Sequence, residues 1–182
     1  MFELTYEMVE KTFIEFSKEM DWKGFEVSIK KEAGFFTTLG IIGNNDPFAN
    51  VGALTDPFNH KVIFYVDAIL KELEYGNKGF NKFIFSDKFI AKIVRKLFCK
   101  ESDPVKLCRM MIHEIVAHEN RHCQQYNWLE KNLSKEEISK IIKAEKDVSY
   151  GKGAMEKDAI RYQSKEKHVP FEKVFKDFLK TA

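Results

Sequence analysis

The chain has 182 residues, a length that suits one domain with a sizeable hydrophobic core. Hydrophobic residues make up 44% of it and charged residues 32%, and the net charge of +2 arises from interspersed lysines and glutamates, which argues against a nucleic-acid-binding protein. The N-terminus shows no apolar signal segment, no apolar run reaches about 18 residues, and the cysteine count is odd, so we expect a cytoplasmic protein without a membrane span.

The N-terminal part of the chain, about 1–66, predicts one helix and a small sheet. Apolar residues recur with the helical period over 5–20, and residues 25–29 alternate as a half-buried strand does. Two further strands are predicted at 51–54 and 62–66, separated by an Asp-Pro-Phe turn. We expect a mainly antiparallel sheet, with 62–66 in its interior and 51–54 at its edge.

The second part, about 67–182, is helix-rich. Ser102-Asp103-Pro104 is a strong helix start, because it places a capping side chain before a proline at the first helical position. The helix that follows has no breaker before about Leu129. Other helices are predicted at about 67–74, 87–98, 134–147, 154–165 and 171–179. The expected fold class is therefore α+β in a single domain.

One motif in the long helix carries the expected chemistry, the HExxH sequence His118-Glu119-Asn120-Arg121-His122. The two histidines are one helical turn apart on the same face, so both imidazoles can bind one zinc ion. Glu119 lies about 100° around the helix from His118, where it can take a proton from zinc-bound water as that water attacks a carbonyl group. Glu119 is thus the expected general base. Two histidines that serve only packing or solvation are the alternative interpretation.

A catalytic zinc ion needs a third protein ligand, and Glu156 is the best candidate. It opens a predicted helix directly after a glycine-flanked loop, and the small Ala159 on the same face would allow close approach to the HExxH helix. Asp158 points about 160° away from Glu156 and ranks second as a ligand. An ordinary solvated acid is the other interpretation of Glu156.

Several neighbouring polar residues are candidates for supporting roles. Glu114, one turn before His118, could accept a hydrogen bond from its imidazole, as zinc-binding histidines usually require. Gln125, one turn after His122, is either a similar partner or a polar residue of the helix surface. A peptidase also needs a donor for the developing oxyanion. The candidates near Glu156 in sequence, which the sequence does not rank, are Tyr150, Tyr162 and His168.

These motif positions support a resemblance. His118-Glu119-x-x-His122-x-x-Gln125, followed by Glu156-x-Asp158-Ala159, resembles the gluzincin-type peptidases and is most similar to small cytoplasmic zincins of bacteria and phages, including the ImmA/IrrE type. The resemblance covers residue 5 to about 165 and implies a zincin-like fold, peptide-bond hydrolysis, one zinc ion and a substrate strand laid along the sheet edge. We expect a single zincin-like domain over 1–182. The chain shows no helix-turn-helix partner domain of the kind that would suggest a repressor substrate.

The expected function is that of a zinc-dependent endopeptidase acting on a protein or peptide, with the oligomeric state left open. Two alternatives come from other classes. A catalytically inactive, zinc-stabilised binding protein would have no use for Glu119 beside the open metal position. A nucleic-acid-binding module is disfavoured by the weak net charge.

Overall fold

The computed structural model describes residues 5–31, 53–70, 103–148, 153–164 and 169–179. These residues form an α+β fold, as expected, in which a small sheet and several helices surround one long helix. Residues 66–70 are also helical, and the helix predicted at 87–98 lies outside the described residues. In chain order the elements are α1 (Tyr6–Glu19), β1 (Glu26–Lys30), β2 (Ala53–Asp56), β3 (Lys61–Tyr65), α2 (Pro104–Asn132), α3 (Lys135–Asp147), α4 (Ala154–Gln163), α5 (Phe171–Val174) and α6 (Lys176–Leu179).

The sheet is mixed, which corrects the expectation of a mainly antiparallel one. Its strand order is β1-β3-β2, with β2 antiparallel and β1 parallel to β3. The parallel pair is possible because the connection from Lys30 to Lys61 is long enough for a crossover. Within the described residues β3 is the central strand and β2 lies at an edge, in the positions predicted for 62–66 and 51–54, and β2 continues to Asp56.

Local side-chain chemistry fixes where the helices begin. Thr5 caps α1 by accepting a hydrogen bond from the Met8 amide. Asp103 caps α2 by accepting hydrogen bonds from two amides of its first turn, and Pro104 occupies the first helical position. Ser134 and Glu137 form a reciprocal capping box at the start of α3. These starts agree with the sequence signals.

Helix α2 contributes to two hydrophobic clusters. One cluster lies between α1, the sheet and the first half of α2, where Phe13 stacks on Phe64 at a ring separation of 4.8 Å. The other lies around Leu129 and includes the fully buried Phe175, which stacks on Trp128 at 5.4 Å. The HExxH motif is therefore held between two packed regions of one rigid helix. None of the helices in the described ranges combines the length and apolar character needed to cross a membrane.

Candidate metal centre

Two turns of α2 and the start of α4 bring three metal-ligating side chains together. The Nε2 atoms of His118 and His122 are 3.0 Å apart, and they lie 3.4 and 3.3 Å from the two carboxylate oxygens of Glu156. Two ligands that bind one zinc ion tetrahedrally at 2.0–2.1 Å are separated by about 3.3 Å, so this spacing fits such an ion. His118, His122 and Glu156, which the sequence predicted to lie together, form a group in the described part of the chain that could hold a metal ion.

The hydrogen bonds behind the imidazoles direct both Nε2 lone pairs into this space. Gln125 donates from its Nε2 to the Met155 carbonyl at 3.0 Å and to Asp158 at 2.8 Å. Its Oε1, 2.8 Å from Nδ1 of His122, must then accept a hydrogen bond from that nitrogen. Nδ1 of His118 lies 3.0 Å from Oε1 of Gln163 in the same way. In a neutral imidazole whose Nδ1 is protonated, Nε2 carries the lone pair that binds a metal.

Two facing lone pairs repel each other unless a cation lies between them. The pKa shifts of His122 and Glu156 also indicate that the site favours a positive charge. Burial by itself would lower the pKa of His122, but the hydrogen bond and charge of Glu156, with the charge of Glu119, raise that pKa to about 9. Burial would raise the pKa of Glu156, yet its hydrogen bonds to His118 and His122 hold that pKa well below the usual range. The site therefore favours a positive charge among its ligands, carried by a proton or by a metal ion.

A buried ion pair supports the His122 side of the centre. Arg121 is 1% exposed and donates to Asp158 from Nε at 2.7 Å and from Nη2 at 3.2 Å. Its guanidinium also donates to the Val169 carbonyl and lies 4.1 Å from the centre of the Phe171 ring. Because Asp158 accepts from Gln125, the pair fixes the amide that holds His122. Asp158 thus acts behind the ligands rather than among them.

The position of Glu156 depends on an unusual helix start. Gly153 caps α4 without a side chain, and Glu145 of α3 instead accepts hydrogen bonds from the amides of Ala154 at 2.8 Å and Met155 at 3.2 Å. A β-carbon on Gly153 would lie 2.0 Å from a Glu145 oxygen, so the glycine is required for this close approach. Glu145 therefore fixes the helical turn that presents Glu156 to the histidines.

Glu119 contacts the sheet. The residue is 7% exposed, and one of its carboxylate oxygens accepts a hydrogen bond of 2.6 Å from the hydroxyl of Thr55 on β2. The ring of Tyr126, one turn after His122 on α2, has its centre 6.5 Å from that of the His122 ring. Burial first, and then the carboxylates of Glu119 and Glu156, raise the pKa of Tyr126, so its phenol stays protonated at neutral pH.

No family model, curated protein or solved structure matches this chain. The assignment of the centre therefore depends on the geometry of its residues alone. The resemblance to gluzincin-type peptidases remains an interpretation of the motif positions.

The structure distinguishes between the residues considered for supporting roles. Gln125 is fully buried against His122, so it is a partner of the ligand and not a residue of the helix surface. Gln163 occupies the place beside His118 Nδ1 for which Glu114 was considered. The ring of Tyr162 packs 5.2 Å from the Arg121 guanidinium. Tyr150 and His168 lie outside the described residues.

Four residues that sequence reasoning did not assign to the site contact it: Thr55, Arg121, Tyr126 and Gln163. Gln163 carried a usable signal, since it lies two helical turns after Glu156 on the same face of α4. Arg121 also carried a usable signal, because a cation on a buried helix face needs an anionic partner. Thr55 had no such signal, because its contact with Glu119 spans the sheet and α2.

Proposed function

We propose that the chain is a zinc-dependent metallopeptidase, an endopeptidase that hydrolyses a peptide bond of a protein or peptide substrate. The observation that carries the proposal is the pair of Nε2 atoms 3.0 Å apart, with the Glu156 carboxylate beside them and the buried Glu119 next to His118. His118, His122 and Glu156 would hold the ion. A zincin-like fold and a cytoplasmic location are part of the same proposal.

The donor set fits zinc better than magnesium or calcium. Two imidazoles and one carboxylate form a three-ligand set typical of catalytic zinc, which leaves a fourth position for water or substrate. Magnesium and calcium prefer shells made of oxygen alone. When bound, zinc would supply Lewis acidity and lower the pKa of a coordinated water molecule.

The residues of the chain supply the remaining chemistry. Glu119 would accept the proton of the water that attacks the scissile carbonyl carbon and return it to the amine that leaves. Gln125 and Gln163 keep both imidazoles in the tautomer that binds a metal. Tyr126, with its protonated phenol, is a candidate donor to the developing oxyanion. Strand β2, whose Thr55 touches Glu119, is the edge against which an extended substrate would pair.

The decisive variant is Glu119→Gln. It keeps the size of the side chain but cannot take a proton, so zinc content and fold should persist while hydrolysis falls by about 100-fold to 10,000-fold. The same variant should retain bound substrate, which can be captured and identified by mass spectrometry. Glu130→Gln is the matched control, because Glu130 lies on the same helix but pairs with His60 at the surface.

An inactive zinc-stabilised binding protein, the alternative function, predicts different results. In that case the natural chain would cleave no protein captured by Glu119→Gln, and removal of zinc would unfold the chain. That pair of results would require the peptidase proposal to be withdrawn.

A further inference from the structure

We propose that Thr55 is a positioning residue that orients the Glu119 carboxylate for proton transfer; this inference rests on the proposed function. The contact is the 2.6 Å hydrogen bond that the Thr55 hydroxyl donates to Oε2 of Glu119. It links β2 with α2, two elements far apart in the sequence. Its length lies within the range of about 2.5–2.7 Å that is typical of a hydroxyl donating to a carboxylate.

The hydrogen bond from Thr55 gives the two oxygens of Glu119 different roles. The oxygen that accepts from Thr55 is held on the sheet side, so the other oxygen is the one left to meet the attacking water. A base whose carboxylate cannot rotate needs no reorientation before it accepts a proton. Because Thr55 belongs to the edge strand β2, the same strand that would hold the substrate backbone also holds the base.

Three variants separate the hydroxyl from the shape of the side chain. Thr55→Val keeps the branched shape and removes the donor, whereas Thr55→Ser keeps the donor and removes a methyl group. With a substrate captured by Glu119→Gln, Thr55→Val should lower kcat by about 10-fold to 100-fold with KM and zinc content nearly unchanged. Thr55→Ser should recover most of the rate, and Thr55→Ala, a second variant without the donor, should behave like Thr55→Val.

The chain offers a matched control for the loss of a buried hydroxyl. Thr12 is 7% exposed and donates to the Met8 carbonyl within α1. Thr12→Val should therefore leave kcat unchanged. Full activity in Thr55→Val, or equal loss in Thr55→Ser, would overturn the positioning role while the peptidase proposal stood. If the natural chain itself hydrolyses nothing, the proposed function fails instead.

A measurement without activity tests the contact itself. In zinc-free protein, Thr55→Val should lower the urea midpoint of unfolding, because it leaves a buried carboxylate oxygen without its donor. In a Glu119→Met background the same change should leave the midpoint equal or raise it, because the hydroxyl then faces an apolar group. The same shift in both backgrounds would show that Thr55 and Glu119 are not coupled, and would overturn the inference.

Discussion

Two acidic residues of α4, Glu156 and Asp158, should respond to alanine substitution in opposite ways. Asp158 is 4% exposed and is the anion that pairs with the buried Arg121 guanidinium. Asp158→Ala would leave that guanidinium in the interior without its carboxylate, a loss that costs about 3–5 kcal/mol. The expected result is a lower free energy of unfolding, both with and without zinc.

The effect of Asp158→Ala on the metal should be indirect and smaller. It removes one of the two acceptors that orient Gln125, which holds His122. Loss of such an outer partner typically weakens metal binding by about 10-fold to 100-fold. Glu156→Ala removes a ligand, so we expect it to weaken zinc binding by more than that range, while the zinc-free fold keeps the Arg121 ion pair intact.

Two measurements on each variant distinguish the roles of Glu156 and Asp158. Zinc affinity is measured by competition with a chromophoric chelator, and the free energy of unfolding is measured by urea titration of the zinc-free protein. Asp158→Asn serves as a milder comparison, because it keeps the shape and loses the charge. If Asp158→Ala reduces zinc affinity more than Glu156→Ala does, or leaves the stability unchanged, the roles assigned to the two acids are wrong.

Three other outcomes are expected. In zinc-free protein the pKa of His122 is raised from 6.5 to about 9, so its contribution to stability, up to about 3 kcal/mol, is fully present below pH 6.5 and is lost as the pH rises through 9. Urea titrations at several pH values should show this loss, and Glu156→Gln should flatten it. Gly153→Ala should destabilise the fold by about 1–2 kcal/mol in urea titration, because the new methyl group expels Glu145 from its capping position. The same substitution should cost less in a Glu145→Ala background. An equal cost in both backgrounds would show that the loss does not arise from Glu145. Tyr126→Phe should lower kcat by about 100-fold and leave zinc content intact; unchanged kcat would remove the phenol from the proposed mechanism.

The cluster of His118, His122 and Glu156 was predictable because its arrangement is mostly local. The spacing of His118 and His122 determines their common face once the helix is known, and the helix itself was evident from Asp103-Pro104 and the unbroken pattern that follows. Glu156 required one additional step, that a helix after a glycine loop returns to pack on α2. The capping box at Ser134 and the amphipathic segment at 171–179 were recognisable for the same local reasons.

What the sequence did not predict depends on contacts between distant elements. The direction of β1 relative to β3 is set by the path of a long connection, and no residue pattern within β1 encodes it. Thr55 is one hydroxyl on a short strand, and only the placement of β2 against α2 brings it to Glu119. Gln163 and Gln125 share a function but lie on different helices. The single-domain organisation over 1–182 stays a prediction.

The supporting partners of the histidines bear on whether the centre is structural or catalytic. Both imidazoles donate to neutral amide oxygens, of Gln125 and Gln163. A carboxylate partner would raise the basicity of an imidazole ligand and its hold on the metal, whereas an amide leaves more positive charge at the ion. The greater positive charge helps an ion to polarise a carbonyl group. A site built only for stability would gain nothing from it, nor from burying the additional charge of Glu119 against a threonine hydroxyl.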